Sequence, residues 1–131
     1  MNITFDDRSF NLTYCTNIYS GVSYFDLIDN LKKYAFPVIK SVSCNKKFGI
    51  GIHLSKSVTY DILKDDNILH FKQWLFDNNM YVCGINGFPY FNFQSKCIKD
   101  GVYFPDWSGV KRYNYTSDLI YILNTILPLG V

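Results

Sequence analysis

The chain has 131 residues, of which 48% are hydrophobic and 18% charged, so it suits one globular domain with a real core and not a disordered segment. Its formal net charge of +2 comes from scattered lysines, which argues against nucleic-acid binding, because that normally needs a concentrated basic patch. Residues 1–8 carry Asp6 and Asp7 without an apolar stretch, and the most apolar segment, Leu119 to Leu129, is broken by Asn124, Thr125 and Pro128; a cytoplasmic protein, not an integral membrane one, is expected.

Taken in order, Asn11 to Thr16 (NLTYCT) is β-branched and aromatic and reads as a first strand. Asn17 to Gly21 is its exit loop. Ser23 then offers a helix N-cap with Asp26 in the first turn. Phe25, Ile28, Leu31 and Ala35 recur at helical spacing as one buried stripe, and Pro37 is expected to kink or end that helix. Phe48 to Leu54 (FGIGIHL) alternates as a second strand. Its bulky residues share one face beneath covering helices, and Gly49, Gly51 and His53 share the other, directed into a crowded interior.

Ser55 to Leu63 reads as a short helical turn. Asp65 to Asn67 then cap a main helix with Ile68, Phe71 and Leu75 on one side, and Asn78–Asn79 suit its left-handed end. Met80 to Ile85 is the third strand, stopping at Asn86–Gly87. An Asn-Gly pair can mark a hairpin, but the return strand would begin at Phe88–Pro89, where proline cannot donate to a ladder. The segment therefore reads as a strand emptying into a loop, the usual place for ligands in α/β folds. Residues 91–112 form that long loop, rich in aromatics. Thr116 or Ser117 caps a last helix carrying Leu119, Ile122, Leu123 and Ile126.

Strands starting at Leu12, Phe48 and Met80 are spaced as βα units, which implies parallel strands. Three units cover a parallel sheet poorly, and a closed eight-unit barrel needs about 250 residues. The expected architecture is thus α/β: an incomplete TIM (β/α) barrel of three units, with residues 1–131 as the amino-terminal portion of a single larger domain.

Five segments occur in register: Leu12 to Ile18 (LTYCTNI), Phe48 to Ile52 (FGIGI), Ile85 to Tyr90 (INGFPY), Val102 to Trp107 (VYFPDW) and Tyr115 to Leu119 (YTSDL). Together they resemble the metabolite traffic protein EboE family, xylose-isomerase-like TIM barrels. The resemblance runs from about Asn11 onward and covers only the first part of the family's length. It implies a bacterial soluble protein encoded beside other Ebo proteins, in a system that moves a small metabolite precursor towards the cell envelope. Where relatives carry His, Arg, Gly and His, this chain has Tyr19, His53, Phe91 and Gln94, a departure that weakens an enzymatic reading.

The residues offer a binding site more readily than a catalytic one. Asn17, His53 and Asn86 stand at the three strand ends. Asn86 suits hydroxyl or carbonyl recognition, with a plain turn role as its alternative. Phe88, Tyr90, Tyr103 and Trp107 could stack on a ring or a sugar, or simply pack the loop. A lone histidine is more often a hydrogen-bonded structural residue than a ligand, and the strand-end position of His53 narrows that difference. Asp106 reads as a turn carboxylate. No catalytic residue, cofactor motif or metal-ligand set emerges, because strand ends without carboxylates do not hold a divalent cation. Cys15, Cys44, Cys83 and Cys97 lack zinc-ligand spacing and read as small buried thiols. The expected function is binding and trafficking of a small metabolite. The rival is a divalent-metal sugar or sugar-phosphate isomerase or epimerase, which rests on barrel analogy alone.

Overall fold

The computed structural model describes residues 2–19, 21–44, 46–91 and 101–128. The chain opens with an antiparallel hairpin, β1 (Asn2–Phe5) and β2 (Arg8–Asn11), that the sequence reading did not anticipate. Asp6 and Asp7 both have positive φ, 46° and 60°, the geometry of a two-residue hairpin turn whose twist matches its strands. Ile3, Phe5 and Phe10 lie on one face of this hairpin and are exposed.

Three parallel strands follow in one sheet, ordered β3 (Thr13–Cys15), β4 (Phe48–His53) and β5 (Met80–Asn86). Their parallel direction and the positions of β4 and β5 agree with the sequence reading, whereas the first strand expected over Asn11–Thr16 is only Thr13–Cys15, with Asn11 paired in β2. The TIM-barrel expectation does not survive. The molecule is a mixed α/β fold, with an open three-stranded sheet and a separate two-stranded antiparallel sheet. The spacing of βα units fixes strand direction, but not whether a sheet closes.

Phe48, Ile50 and Ile52 form the buried face with Met80 and Val82, against helices α1 (Tyr24–Asn30), α3 (Lys56–Ile62), α4 (Asn67–Asp77) and α5 (Val110–Ile126). The glycine face, expected to be crowded, is open: Thr13 and Cys15 are exposed beside Gly49 and Gly51. Only Gly49 is tightly covered, since a Cβ there would come within 3.1 Å of the Tyr81 ring. The thiols are corrected with it. Cys15, Cys44 and Cys83 are free and exposed, and Cys97 lies outside the described residues. Cys83 is the extra residue where the β4–β5 register slips from Ile50↔Val82 to Gly51↔Gly84, and a bulged residue loses its place in the alternation.

The first helix starts where its cap requires. Asp26 N–H donates to Ser23 Oγ at 3.2 Å, while Asp26 Oδ2 accepts from Ser23 N at 3.1 Å and Val22 N at 2.9 Å. This reciprocal box satisfies amides that would otherwise be orphaned, a contribution of about 1 kcal/mol. The buried stripe is Tyr24, Leu27, Leu31, Ala35 and Ile39: Leu31 and Ala35 are buried as expected, while Tyr24 and Leu27 take the places expected for Phe25 and Ile28, and Phe25 is 74% exposed. Tyr24 heads it because its ring meets the edge of Phe71 at 6.4 Å.

Pro37 neither ends nor breaks the helix. A π-helical stretch over Leu31–Ala35 joins α1 to α2 (Phe36–Val42), in which Pro37 lies in the first turn. A wider turn there accommodates a residue that cannot donate and whose ring would crowd the preceding carbonyl. α4 buries Ile68, Phe71 and Leu75 as expected, and Asn79 takes the left-handed position at φ 54°. α5 begins about two turns earlier than the Thr116–Ser117 cap suggested, with Gly109 as its N-cap. Thr116 and Ser117 lie inside it. Among the described residues, no helix is long and apolar enough to cross a membrane.

Candidate functional site

Parallel pairing brings the carboxyl ends of the three strands to one end of the sheet. His53 and Asn86 are register partners there, and Asn17 follows β3 by two residues. They share that end without forming one ligand cradle. Asn86 Oδ1 accepts from Phe88 N at 3.0 Å, which closes the turn after β5 and realises the alternative role open to it. Asn17 Oδ1 is buried without a hydrogen-bond partner.

His53 Nε2 lies 3.4 Å from the Pro89 carbonyl, and its ring lines a cavity of about 20 Å³ with Thr16, Tyr19 and Asn30. That volume holds a water and not a metabolite. Tyr19 is hydrogen-bonded to Tyr14 and stacked on Tyr34 at 5.0 Å. Burial first, and then the bond to Tyr14, push its pKa up to about 12.

Burial lowers the His53 pKa below the ordinary imidazole value, and the Pro89 carbonyl only partly offsets this. The folded state therefore favours neutral imidazole, so the unfolded chain takes up the proton first as pH falls. The stabilisation is full above the unfolded value of about 6.5 and is lost as pH drops towards the folded value. Urea unfolding between about pH 7.5 and pH 5 should show a steeper loss of stability in the wild type than in His53→Gln. Equal slopes would mean that this imidazole titrates freely when folded.

The larger cavity lies beside β5. Its volume is about 310 Å³, and it opens between the carboxyl end of that strand and the facing flank of α5. This falls at the lower end of the size range of small-molecule pockets. Ile85, Leu119 and Leu123 make the apolar wall, and Phe88 and Trp107 stand with them from the loop. Gly87 lets the chain approach α5 closely: a Cβ there would come 2.4 Å from Leu119 Cδ1, and that side chain would have to move aside.

Arg112 supplies the charge. Its guanidinium carbon sits 5.2 Å from the Trp107 ring centre and 5.5 Å from that of Tyr115, and Nη2 donates to the Gly87 carbonyl at 3.4 Å. Such stacking suits a planar, weakly hydrated cation.

Of the seven residues singled out in the sequence, Phe88 and Trp107 line this cavity. Tyr103 is 72% exposed and meets the Phe88 ring at 5.8 Å. Tyr90 packs against Tyr115 at 4.8 Å, as a wedge in the turn. Asp106 accepts from Ser108 N at 3.0 Å and from Ser108 Oγ at 2.6 Å, holding its own turn. Gln94 lies outside the described residues.

Arg112 and Thr116 were missed. Arg112 fell in the stretch read as loop, and Thr116 was taken for a cap, although their spacing of four places them on one helix face. Among the described residues, no three His, Cys, Asp or Glu side chains are grouped to hold a metal ion. No protein-family model, curated protein or solved structure matches the chain.

Proposed function

We propose that the chain binds a small metabolite beside the carboxyl end of β5 and, in keeping with its resemblance to the EboE family, serves that metabolite's traffic in the cytoplasm with other Ebo proteins as partners. The observation that carries the reading is the cavity of about 310 Å³, with apolar walls and a single cationic side chain. Apolar walls supply affinity and a few polar groups fix orientation, which is the chemistry of a binding pocket. The free thiols Cys15, Cys44 and Cys83 suit a reducing compartment.

Nothing in the described strand ends favours the isomerase rival, which needs several oxygen or imidazole ligands converging on one cation. Titration calorimetry with naphthalene-sized probes, neutral and charged, tests the proposal. One saturable site is expected. No saturable heat for any probe up to about 1 mM, an affinity of only about 4 kcal/mol, would overturn it.

A further inference from the structure

The cavity beside β5 has a chemical bias. Three buried side-chain polar atoms among the described residues have no hydrogen-bond partner, and two of them, Arg112 Nε and Thr116 Oγ1, belong to residues that line it. The ion pairs among the described residues are Lys56–Asp118 and Lys64–Asp61. Arg112 is in neither. Asp106, close in sequence, already accepts twice from Ser108. A half-buried guanidinium is thus held beside two aromatic rings at the wall of an apolar cavity, and among the described residues no carboxylate pairs with it. An uncompensated cation in such surroundings is costly, and a planar anion relieves that cost through paired charge-assisted hydrogen bonds.

We infer that the natural ligand is an apolar molecule bearing one carboxylate, with its body against Ile85, Leu119 and Leu123 and its carboxylate paired with Arg112. Nε and the Thr116 hydroxyl are covered in the empty site, and pairing through them requires both side chains to turn towards the carboxylate. A neutral sugar would leave the guanidinium unpaired, and a polyanion would meet a single cation in an otherwise apolar wall. The inference rests on the binding reading above and narrows it to one ligand class.

The test compares naphthoic acid with naphthamide, which have the same shape but differ in charge, by calorimetry on the full chain. The acid should bind tighter by about tenfold or more, as expected for a hydrogen bond to a charged group. In Arg112→Gln that preference should fall to about twofold or less, and Arg112→Lys should retain part of it, since a point charge lacks the planar fork. Equal affinity of acid and amide for the wild type would overturn the carboxylate assignment while leaving a binding pocket in place. If neither probe binds, the binding reading fails and the inference with it. A preference that persists in a folded Arg112→Gln would remove Arg112 from the role. The wild-type comparison decides the ligand class even if a variant does not fold.

Discussion

Replacing Tyr115 with alanine is expected to lower the unfolding free energy by about 3–5 kcal/mol, the range for truncating a large buried aromatic side chain. Tyr115 is fully buried. Its hydroxyl donates to the Leu54 carbonyl just past β4, while its ring meets Tyr90 and carries the Arg112 guanidinium. One side chain therefore ties α5 to the strand end, to the turn after β5 and to the cavity wall. Burial raises its phenol pKa well above the ordinary value, against the opposing pull of Arg112. Tyr115→Phe separates the two contributions. It keeps the ring and leaves the Leu54 carbonyl without that donor, which should cost about 1–3 kcal/mol. Urea unfolding of both variants measures this. An alanine variant within about 1 kcal/mol of wild type would mean that α5 is anchored elsewhere.

Leu123→Trp should remove probe binding, with an affinity loss of about a hundredfold or more, because an indole would fill the space that supplies the apolar contact. Leu123 is half-buried on the cavity wall. Leu123 also packs against the core, so a stability loss of about 1–3 kcal/mol is expected beside the loss of binding. Calorimetry and thermal melting of one preparation give both numbers. Unchanged affinity in a folded variant would place the probe outside this cavity.

Local features were legible where a residue type has a single use. Ser23 and Asp26 announced their helix start, the alternation of Phe48 to Leu54 announced β4, and Asn79 announced a left-handed stop. The hairpin was missed because Asp6–Asp7 takes positive φ at both positions without glycine or asparagine. The start of α5 was missed because Thr116–Ser117 imitates a cap, while Gly109, which fills that position, offers no side chain to signal it.

Sheet closure was illegible for a different reason. The same βα spacing serves an open sheet and a closed one, and the difference lies in whether the edge strands, here β3 and β5, find partners. The strand ends were found correctly, but strand polarity says only which end of the sheet to search. It does not say which residues there are spent on structure. Asn86 is spent on its turn, and His53 faces a cavity of water size. Arg112 and Thr116 became visible only when a helix replaced the expected loop.

The central claim, that the cavity beside β5 receives a small molecule, is tested most directly by mapping amide chemical shifts by NMR as naphthoic acid is titrated into the labelled chain. The predicted result is a saturable set of shifts centred on Ile85, Gly87, Phe88, Arg112, Thr116 and Leu119, the residues of the strand end and the facing flank of α5. Shifts confined to Tyr19, Asn30 and His53 around the smaller cavity, or no shifts at saturating probe, would contradict it.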